Sequence, residues 1–180
     1  MPQRSVTITY LELHPAAFKP RRLARSDVAF VHVEPPLPEL NRFFYTAVGG
    51  HWFWLDRRGW TLDQWRARLS DSDRIQTWML TVKGVPAGYV ELERRDHGDV
   101  EIAYLGLLTA FAGDGMGAHL LSGAVDHALA MGARNVLVNT CTLDSDSALP
   151  NYLARGFVTV REVTGIRNLP DVSPGPWDGA

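Results

Sequence analysis

The middle of the chain contains three strand-like runs joined by connections too short to hold a helix. The runs are TWMLTV (77–82), VPAGYVELERR (85–95) and VEIAYLGLL (100–108), with a Lys83–Gly84 turn and a DHGD turn between them. Parallel neighbours need a crossover of about a dozen residues or more, whereas antiparallel neighbours need only a turn. The three runs are therefore predicted to form an antiparallel meander.

A glycine cluster, AGDGMGA (112–118), stands between the third run and an apolar stripe of helical period. Glycine lets a main chain come close to a ligand, and the unpaired amides at a helix N-terminus bind anions. The stripe ends at Gly132, and NVLVNTCTL (135–143) behind it is predicted to be a strand parallel to the one before the glycines. The cluster therefore predicts a phosphate-binding loop.

The flanking segments add a strand and two helices before the meander, and a helix and a strand after the parallel strand. In order they are SVTITYLEL (5–13), PELNRFFYTAVGG (38–50), TLDQWRARL (61–69), SALPNYLARGF (147–157) and VTVREVTGIR (158–167). Thr61 and Gln64 have the spacing of a capping box at the start of the second helix. The result is one α/β (α+β) domain over residues 1–168, followed by a mobile Pro/Gly-rich tail over 169–180.

One interpretation of the glycines is a dinucleotide-binding fingerprint. Gly113, Gly115 and Ala118 satisfy the G-x-G-x-x-[GA] pattern between a strand and a helix. That fingerprint belongs at the start of a parallel array, with an acidic residue about 20 residues further on. Here a meander precedes the glycines and the next strand ends in Asn139 and Thr140. A dinucleotide-dependent enzyme is therefore the alternative that explains less of the chain.

The order of elements instead resembles the GNAT superfamily of N-acetyltransferases, most strongly from Trp78 to Phe157. The family signature R/Q-x-x-G-x-G/A is matched at residues 112–117, with both glycines present but Ala112 in place of the leading Arg or Gln. The resemblance implies a mixed, mainly antiparallel central sheet with helices on both faces. It also implies that the one parallel strand pair splays apart at one end.

The resemblance further implies acetyl-CoA as co-substrate, without a metal. The acyl-CoA pyrophosphate would lie on the loop amides and the pantetheine arm between the splayed strands, with Gly106 at the bulge that starts the splay. The implied binding residues are Leu107, Leu108, Ala112, Gly113, Asp114, Gly115, Met116, Gly117, Ala118 and Ser145. Asp114 puts a carboxylate where a basic residue is common. A protonated His119 would compensate for it, and a solvent-facing His119 is the alternative.

The reaction needs a base, because an amine of pKa about 10.4 is almost wholly protonated at neutral pH. The resemblance implies that Glu101 is this base, and Glu91 and Glu93 on the neighbouring strand are its rivals. Strand alternation predicts Glu101, Ala103 and Leu105 on one face, with Val100, Ile102 and Tyr104 on the other. Tyr152, four residues before Gly156, is the implied general acid, and a tyrosine that only packs the helix is the alternative.

The aromatic stretch HWFWLDRRGW (51–60) is predicted to recognise the acceptor. Trp52 and Trp54, together with Glu91, would form a slot for an amine with an apolar body. The alternative for each ring is an ordinary place in the core. No feature of the sequence identifies the acceptor.

Composition and charge limit the partners and the cellular location that the protein can have. The chain has 180 residues, 46% of them hydrophobic, and a formal net charge of −2, which argues against a protein that coats nucleic acid. The basic run RRLAR (21–25) is interpreted as a solvated turn, and the single cysteine, Cys141, as a small core residue of a protein from a reducing compartment. The absence of a membrane-spanning run or signal-peptide core predicts a cytoplasmic protein. The sequence does not decide between a monomer and a homodimer.

The sequence thus predicts an N-acetyltransferase that acetylates a primary amine of a small molecule or peptide by direct attack in a ternary complex. Ala112 and Asp114 support one alternative, a noncatalytic module that binds acyl-CoA. O-acylation and longer acyl donors also stay open.

Overall fold

Seven strands and four α-helices build the computed structural model, which describes residues 2–177. The strands are β1 (Gln3–Leu13), β2 (Val28–His32), β3 (Ile75–Val82), β4 (Val85–Arg94), β5 (Val100–Leu107), β6 (Val136–Cys141) and β7 (Val158–Asn168). The helices are α1 (Pro38–Gly49), α2 (Leu62–Leu69), α3 (Met116–Ala130) and α4 (Ala148–Ala154). The capping box predicted at Thr61 and Gln64 is confirmed at the start of α2.

The strands form one sheet in the order β2-β3-β4-β5-β6-β1-β7. Every neighbouring pair is antiparallel except β5 and β6. These two strands pair only over Val100–Ile102 and Val136–Val138, although β5 continues to Leu107 and β6 to Cys141. The predicted mixed sheet, with its meander and its splayed parallel pair, is confirmed.

Strand β2 was not predicted, so the expected order of strand, helix, helix in the first third of the chain is wrong by one strand. It lies at the edge of the sheet and pairs with β3 from Val28–Val82 to His32–Trp78. Its side chains alternate only between half-buried and exposed positions. Such a short strand carries a weak local pattern, and pairing with β3 decides its conformation.

The two faces of the sheet carry separate cores. On β4, Val90 packs in a core that contains Leu121 and Val125 of α3, whereas its neighbour Tyr89 packs against Phe44 and Val48 of α1. Successive side chains of a strand point to opposite faces, so this strand is covered on both sides. The predicted helices on both faces are confirmed. Among the helices of residues 2–177, none has the length and apolar character needed to cross a membrane.

The C-terminal segment that was predicted to be mobile is docked on the connection between α1 and α2. The Ser173 hydroxyl donates to the Gly50 carbonyl over 2.6 Å and accepts from the Phe53 amide over 3.1 Å. The Gly175 amide donates to the same Gly50 carbonyl over 2.9 Å. The segment up to Trp177 therefore fixes the aromatic stretch, and the last three residues of the predicted tail lie outside the described residues.

Candidate active site

A cavity of about 520 Å³ opens between the diverging ends of β5 and β6. It reaches from the first turn of α3 and from α4 to the connection between α1 and α2. The predicted site residues that line it are Trp52, Trp54, Glu101, Leu107, Ala112, Gly117, Ser145 and Tyr152. The fold thus brings both predicted catalytic side chains into one cavity, together with residues from the glycine loop and the aromatic stretch.

Seven predicted site residues do not line this cavity: Leu108, Gly113, Asp114, Gly115, Met116, Ala118 and Glu91. The Leu108 amide donates to the Ala87 carbonyl across β4, and the side chains of Met116 and Ala118 are buried. Met116 and Ala118 can therefore act on a ligand only through their main chain, whereas the Leu108 amide is already used within the sheet. The Glu91 carboxylate is buried and pairs with Arg57 and Arg68.

The glycine loop presents bare main-chain amides beside the cavity. Gly113, Asp114 and Gly115 are successive residues in the left-handed region, with φ of 103°, 49° and 76°. Within residues 2–177, no acceptor bonds the amides of these three residues or those of Gly117 and Ala118 in the first turn of α3. Unpaired amides before and within the first turn of a helix can bind an anion, and the helix dipole favours negative charge there. The loop can therefore accept an anionic ligand.

The main chain at the end of β5 offers a second donor to the cavity. The Leu108 amide points toward β4, where it bonds the Ala87 carbonyl over 2.8 Å. Amides of neighbouring strand residues point in opposite directions, so the Leu107 amide faces the gap left by β6. A ligand lying in this gap can pair with β5 as an additional strand would.

A β-bulge changes the faces predicted for β5. The pairing with β4 joins Glu91 to Tyr104 but Leu92 to Ile102, which leaves Ala103 unpaired. A bulge inserts one residue and so reverses the alternation beyond it. Tyr104 therefore lies on the same face as Glu101, and the predicted grouping of Tyr104 with Val100 and Ile102 is wrong.

Glu101 is the most accessible of the three candidate bases. Its carboxylate accepts from Arg95 Nε over 2.6 Å, forms an ion pair with the same guanidinium, and accepts from Asn139 over 3.3 Å. The side chain is 17% exposed, against 3% for Glu93 and 1% for Glu91. It also lines the cavity, so it can reach a bound ligand.

Glu93 also lines the cavity, but three arginines hold it. Its carboxylate accepts from Arg68 over 2.7 Å, Arg74 over 2.8 Å and Arg95 over 3.2 Å. Burial alone would raise the pKa of Glu93, but the hydrogen bonds and charges of these arginines outweigh burial and lower it. A carboxylate with a lowered pKa accepts a proton less readily.

Glu91 lies under the cavity wall rather than in it. Its buried carboxylate accepts from Arg57 over 3.0 Å and from Arg68 over 2.6 Å. The Arg57 guanidinium lies 4.4 Å from the ring centroid of Tyr104 and 4.7 Å from that of Trp60. Glu91 therefore fixes an arginine that itself lines the cavity.

The aromatic end of the cavity holds a carboxylate, Asp56, which two phenols fix in place. The Tyr45 hydroxyl donates to it over 2.5 Å and the Tyr104 hydroxyl over 2.8 Å. Burial raises the pKa of both tyrosines, so both stay protonated and keep donating at neutral pH. Trp54 packs edge-on to Tyr104 with 4.8 Å between centroids, which places an aromatic wall next to this carboxylate.

Tyr152 meets the cavity from α4. It is 7% exposed, and its ring lies edge-on to Phe157 with centroids 5.7 Å apart. Burial raises the pKa of the phenol, with a smaller contribution from the charge of Asp144, so the hydroxyl carries its proton at neutral pH. Cys141, predicted to be a core residue, is half-buried and lines the same cavity, and burial raises the pKa of its thiol.

The sequence matches the model of the acetyltransferase (GNAT) family over residues 36–157. This range contains the glycine loop, the splayed strands and the cavity. The chain belongs to the GNAT family of acetyltransferases. No protein of curated function matches the sequence.

Solved structures of GNAT proteins share the fold. A GCN5-related N-acetyltransferase from Sphaerobacter thermophilus superposes with a TM-score of 0.67 at 17% identity, over 89% of this chain and 50% of that one. One from Kribbella flavida gives 0.61 at 18% identity, over 85% and 54%. The ribosomal-protein-S18-alanine N-acetyltransferase of Escherichia coli gives 0.55 at 12%, over 72% and 76%. The chain thus spans about half the length of the first two proteins.

Sequence reasoning missed part of this GNAT site. It assigned Tyr104 to the wrong face, because the amino-acid sequence carries no signal of the bulge at Ala103. It also overlooked Asn151, whose side-chain amide donates to the Gly117 carbonyl over 3.2 Å and ties α4 to the loop. Asn151 lines the cavity beside Tyr152, but no local pattern in the sequence marks it, because its role depends on how α4 packs against the loop.

Proposed function

We propose that this GNAT protein transfers an acetyl group from acetyl-CoA to a primary amine, by direct attack in a ternary complex. One observation carries the proposal: a single cavity joins a carboxylate, Glu101, and a protonated phenol, Tyr152, at the gap between β5 and β6. The free amides of the glycine loop fit the pyrophosphate of acetyl-CoA, and the Leu107 amide fits a thioester oxygen. The bound thioester supplies the activated acyl group.

Three groups of the chain carry out separate steps of the acyl transfer. Glu101, directly or through a water, takes a proton from the amine so that nitrogen can attack. The Leu107 amide stabilises the negative charge that develops on the thioester oxygen. Tyr152 gives its proton to the departing sulfur, since burial keeps its phenol protonated.

The acceptor enters at the aromatic end of the cavity. Asp56 attracts a cationic amine, and Trp52 and Trp54 pack against its apolar body. Glu91 contributes indirectly, since its ion pair holds Arg57 against Tyr104. The acceptor class proposed is therefore a primary amine on an apolar or aromatic body.

A screen of primary amines with acetyl-CoA tests the proposal, with free thiol release and the mass of the product as readouts. Acetyl-CoA alone should raise the melting temperature, because a ligand that binds only the native state stabilises it. If acetyl-CoA stabilises the protein but no amine or alcohol is acetylated, the chain is a noncatalytic acyl-CoA-binding module. Stabilisation by NADH and not by acetyl-CoA would contradict the proposal altogether.

Gly117→Val provides a control that folds but cannot bind. A β-carbon at Gly117 would meet no neighbour closer than the Asn151 amide at 4.0 Å, so the helix tolerates it. We expect the larger side chain to crowd the free amides at the start of α3 and so to prevent a phosphate from binding there. This variant should keep the apo melting temperature within a few degrees and lose the shift caused by acetyl-CoA.

A further inference from the structure

The basic run at residues 21–25 keeps most of its side chains exposed, as predicted, but it is not a turn, and its main chain is anchored to α3. The Arg21 amide donates to the Ser122 hydroxyl over 2.9 Å, and the Leu23 amide donates to His119 Nδ1 over 3.2 Å. Arg22 forms an ion pair with Asp126 over 2.7 Å. The run is therefore held beside the N-terminal half of the helix that carries the glycine loop.

This packing removes His119 as a source of positive charge. Its Nδ1 accepts the Leu23 amide, so this nitrogen carries no proton. Burial lowers the pKa of His119, and the nearby charge of Arg22 lowers it further. His119 is therefore neutral at pH 7 and does not compensate for the side chain that Ala112 lacks.

Arg21 stands over the loop instead. Its Nη2 lies 3.5 Å, and its Cζ 3.7 Å, from the point that a β-carbon on Gly115 would occupy. Within residues 2–177, no carboxylate pairs with this guanidinium, whereas Arg22 pairs with Asp126 and Arg25 with Asp27. An exposed, unpaired guanidinium thus lies against a loop whose amides also lack acceptors.

Asp114, the acidic residue of the loop, has its own cationic neighbour. The hydrogen bond to Asp27 raises the pKa of the Arg25 guanidinium, and the charge of Asp114 adds to that shift. Arg25, which pairs with Asp27, thus lies near enough to interact with the charge of Asp114.

We propose that Arg21 binds the pyrophosphate of the acyl-CoA, and so supplies from the segment between β1 and β2 the side chain that the signature lacks at Ala112. This inference rests on the proposed function. A guanidinium binds two phosphate oxygens at once through its planar donors, and it adds a full positive charge to the partial charges of the loop amides. Arg21 thereby acts as a ligand for the co-substrate and takes no part in the acyl transfer itself.

Titration calorimetry of Arg21→Ala with CoA and with dephospho-CoA tests this inference. Removal of a charge-assisted hydrogen bond to phosphate should weaken binding of both ligands by about tenfold or more. Arg22→Ala is the matched control, because it removes the neighbouring exposed arginine whose partner is Asp126, and its affinity should stay within about twofold of wild type. In turnover, Arg21→Ala should raise KM for acetyl-CoA and leave kcat unchanged.

The outcomes separate the two proposals. If the wild type binds neither ligand, the proposed function fails and Arg21 has no co-substrate to hold. If the wild type binds both and Arg21→Ala binds as tightly as Arg22→Ala, the assignment of Arg21 is wrong while the proposed function stands. Weakened CoA binding with unchanged dephospho-CoA binding would place Arg21 at the 3′-phosphate and overturn the pyrophosphate contact.

Discussion

Tyr152→Phe is the substitution that isolates the proposed proton donor, since it removes one hydroxyl and keeps the ring. The ring keeps its edge-on contact with Phe157, 5.7 Å between centroids. No hydrogen bond within residues 2–177 contributes to the pKa of this phenol, so the variant breaks no internal pair. We therefore expect the free energy of unfolding to change by no more than about 1 kcal/mol.

The expected effect on catalysis is much larger. Burial raises the pKa of Tyr152 above the ordinary value of about 10. The phenol is then a proton donor across the neutral range, and the wild-type rate should show no decline from Tyr152 ionisation below that pH. Loss of one positioned acid lowers kcat by about 10² to 10⁴. This corresponds to about 2.7 to 5.4 kcal/mol of activation free energy, at 1.36 kcal/mol for each factor of ten.

Single-turnover kinetics give the decisive measurement, because they report the acyl transfer step before product release. Enzyme loaded with acetyl-CoA is mixed with amine, and thiol release is followed in time. The single-turnover rate of Tyr152→Phe should fall by about 10² to 10⁴, while the Kd for acetyl-CoA stays at the wild-type value. Phe157→Leu is the control, because it disturbs the packing beside the ring but leaves the hydroxyl. It should cost stability and keep most of the single-turnover rate.

A Tyr152→Phe enzyme that keeps the wild-type single-turnover rate would refute the reasoning. Tyr152 would then be a packing residue of α4. The sulfur would have to take its proton from another group or from solvent.

Three further predictions follow from the site and the core. Glu101→Gln should lower kcat/KM at unchanged acetyl-CoA affinity, and an active Glu101→Gln beside an inactive Glu93→Gln would move the base to β4. Gly106→Ala should lose about 1 to 3 kcal/mol of stability through overpacking, because the new β-carbon would lie 2.3 Å from Val48 Cγ1. The double variant with Val48→Ala should lose less stability than the two single variants lose together, because the smaller side chain makes room for the new β-carbon. Strictly additive losses would show that the β-carbon added at Gly106 does not press on Val48. Stability should fall as pH rises above about 10, because the native state holds protons on its buried tyrosines that the unfolded chain releases. Ultraviolet absorbance at alkaline pH should show that these phenols ionise only with unfolding, whereas early ionisation would contradict their raised pKa. They are Tyr45, Tyr89, Tyr104 and Tyr152.

Local signals in the sequence determined most of the architecture. The meander follows from the short connections between the runs at 77–108, since backbone geometry allows only antiparallel neighbours there. The loop of unpaired amides before α3 follows from glycines that directly precede a helix. In each case the residues that decide the local structure lie within a short stretch of the chain, so the sequence alone is enough to predict that structure.

Tertiary contacts decided the details of the site. The bulge at Ala103 puts Tyr104 on the same face of β5 as Glu101. It arises from pairing with β4, and the amino-acid sequence of β5 gives no sign of it. Glu91 became the partner of Arg57 and Arg68 because α2 and the segment before it pack over β4. Arg21 reaches Gly115 only because the segment between β1 and β2 packs along α3. Contacts between residues far apart in sequence depend on how whole elements pack, and no local periodicity or turn chemistry encodes that packing.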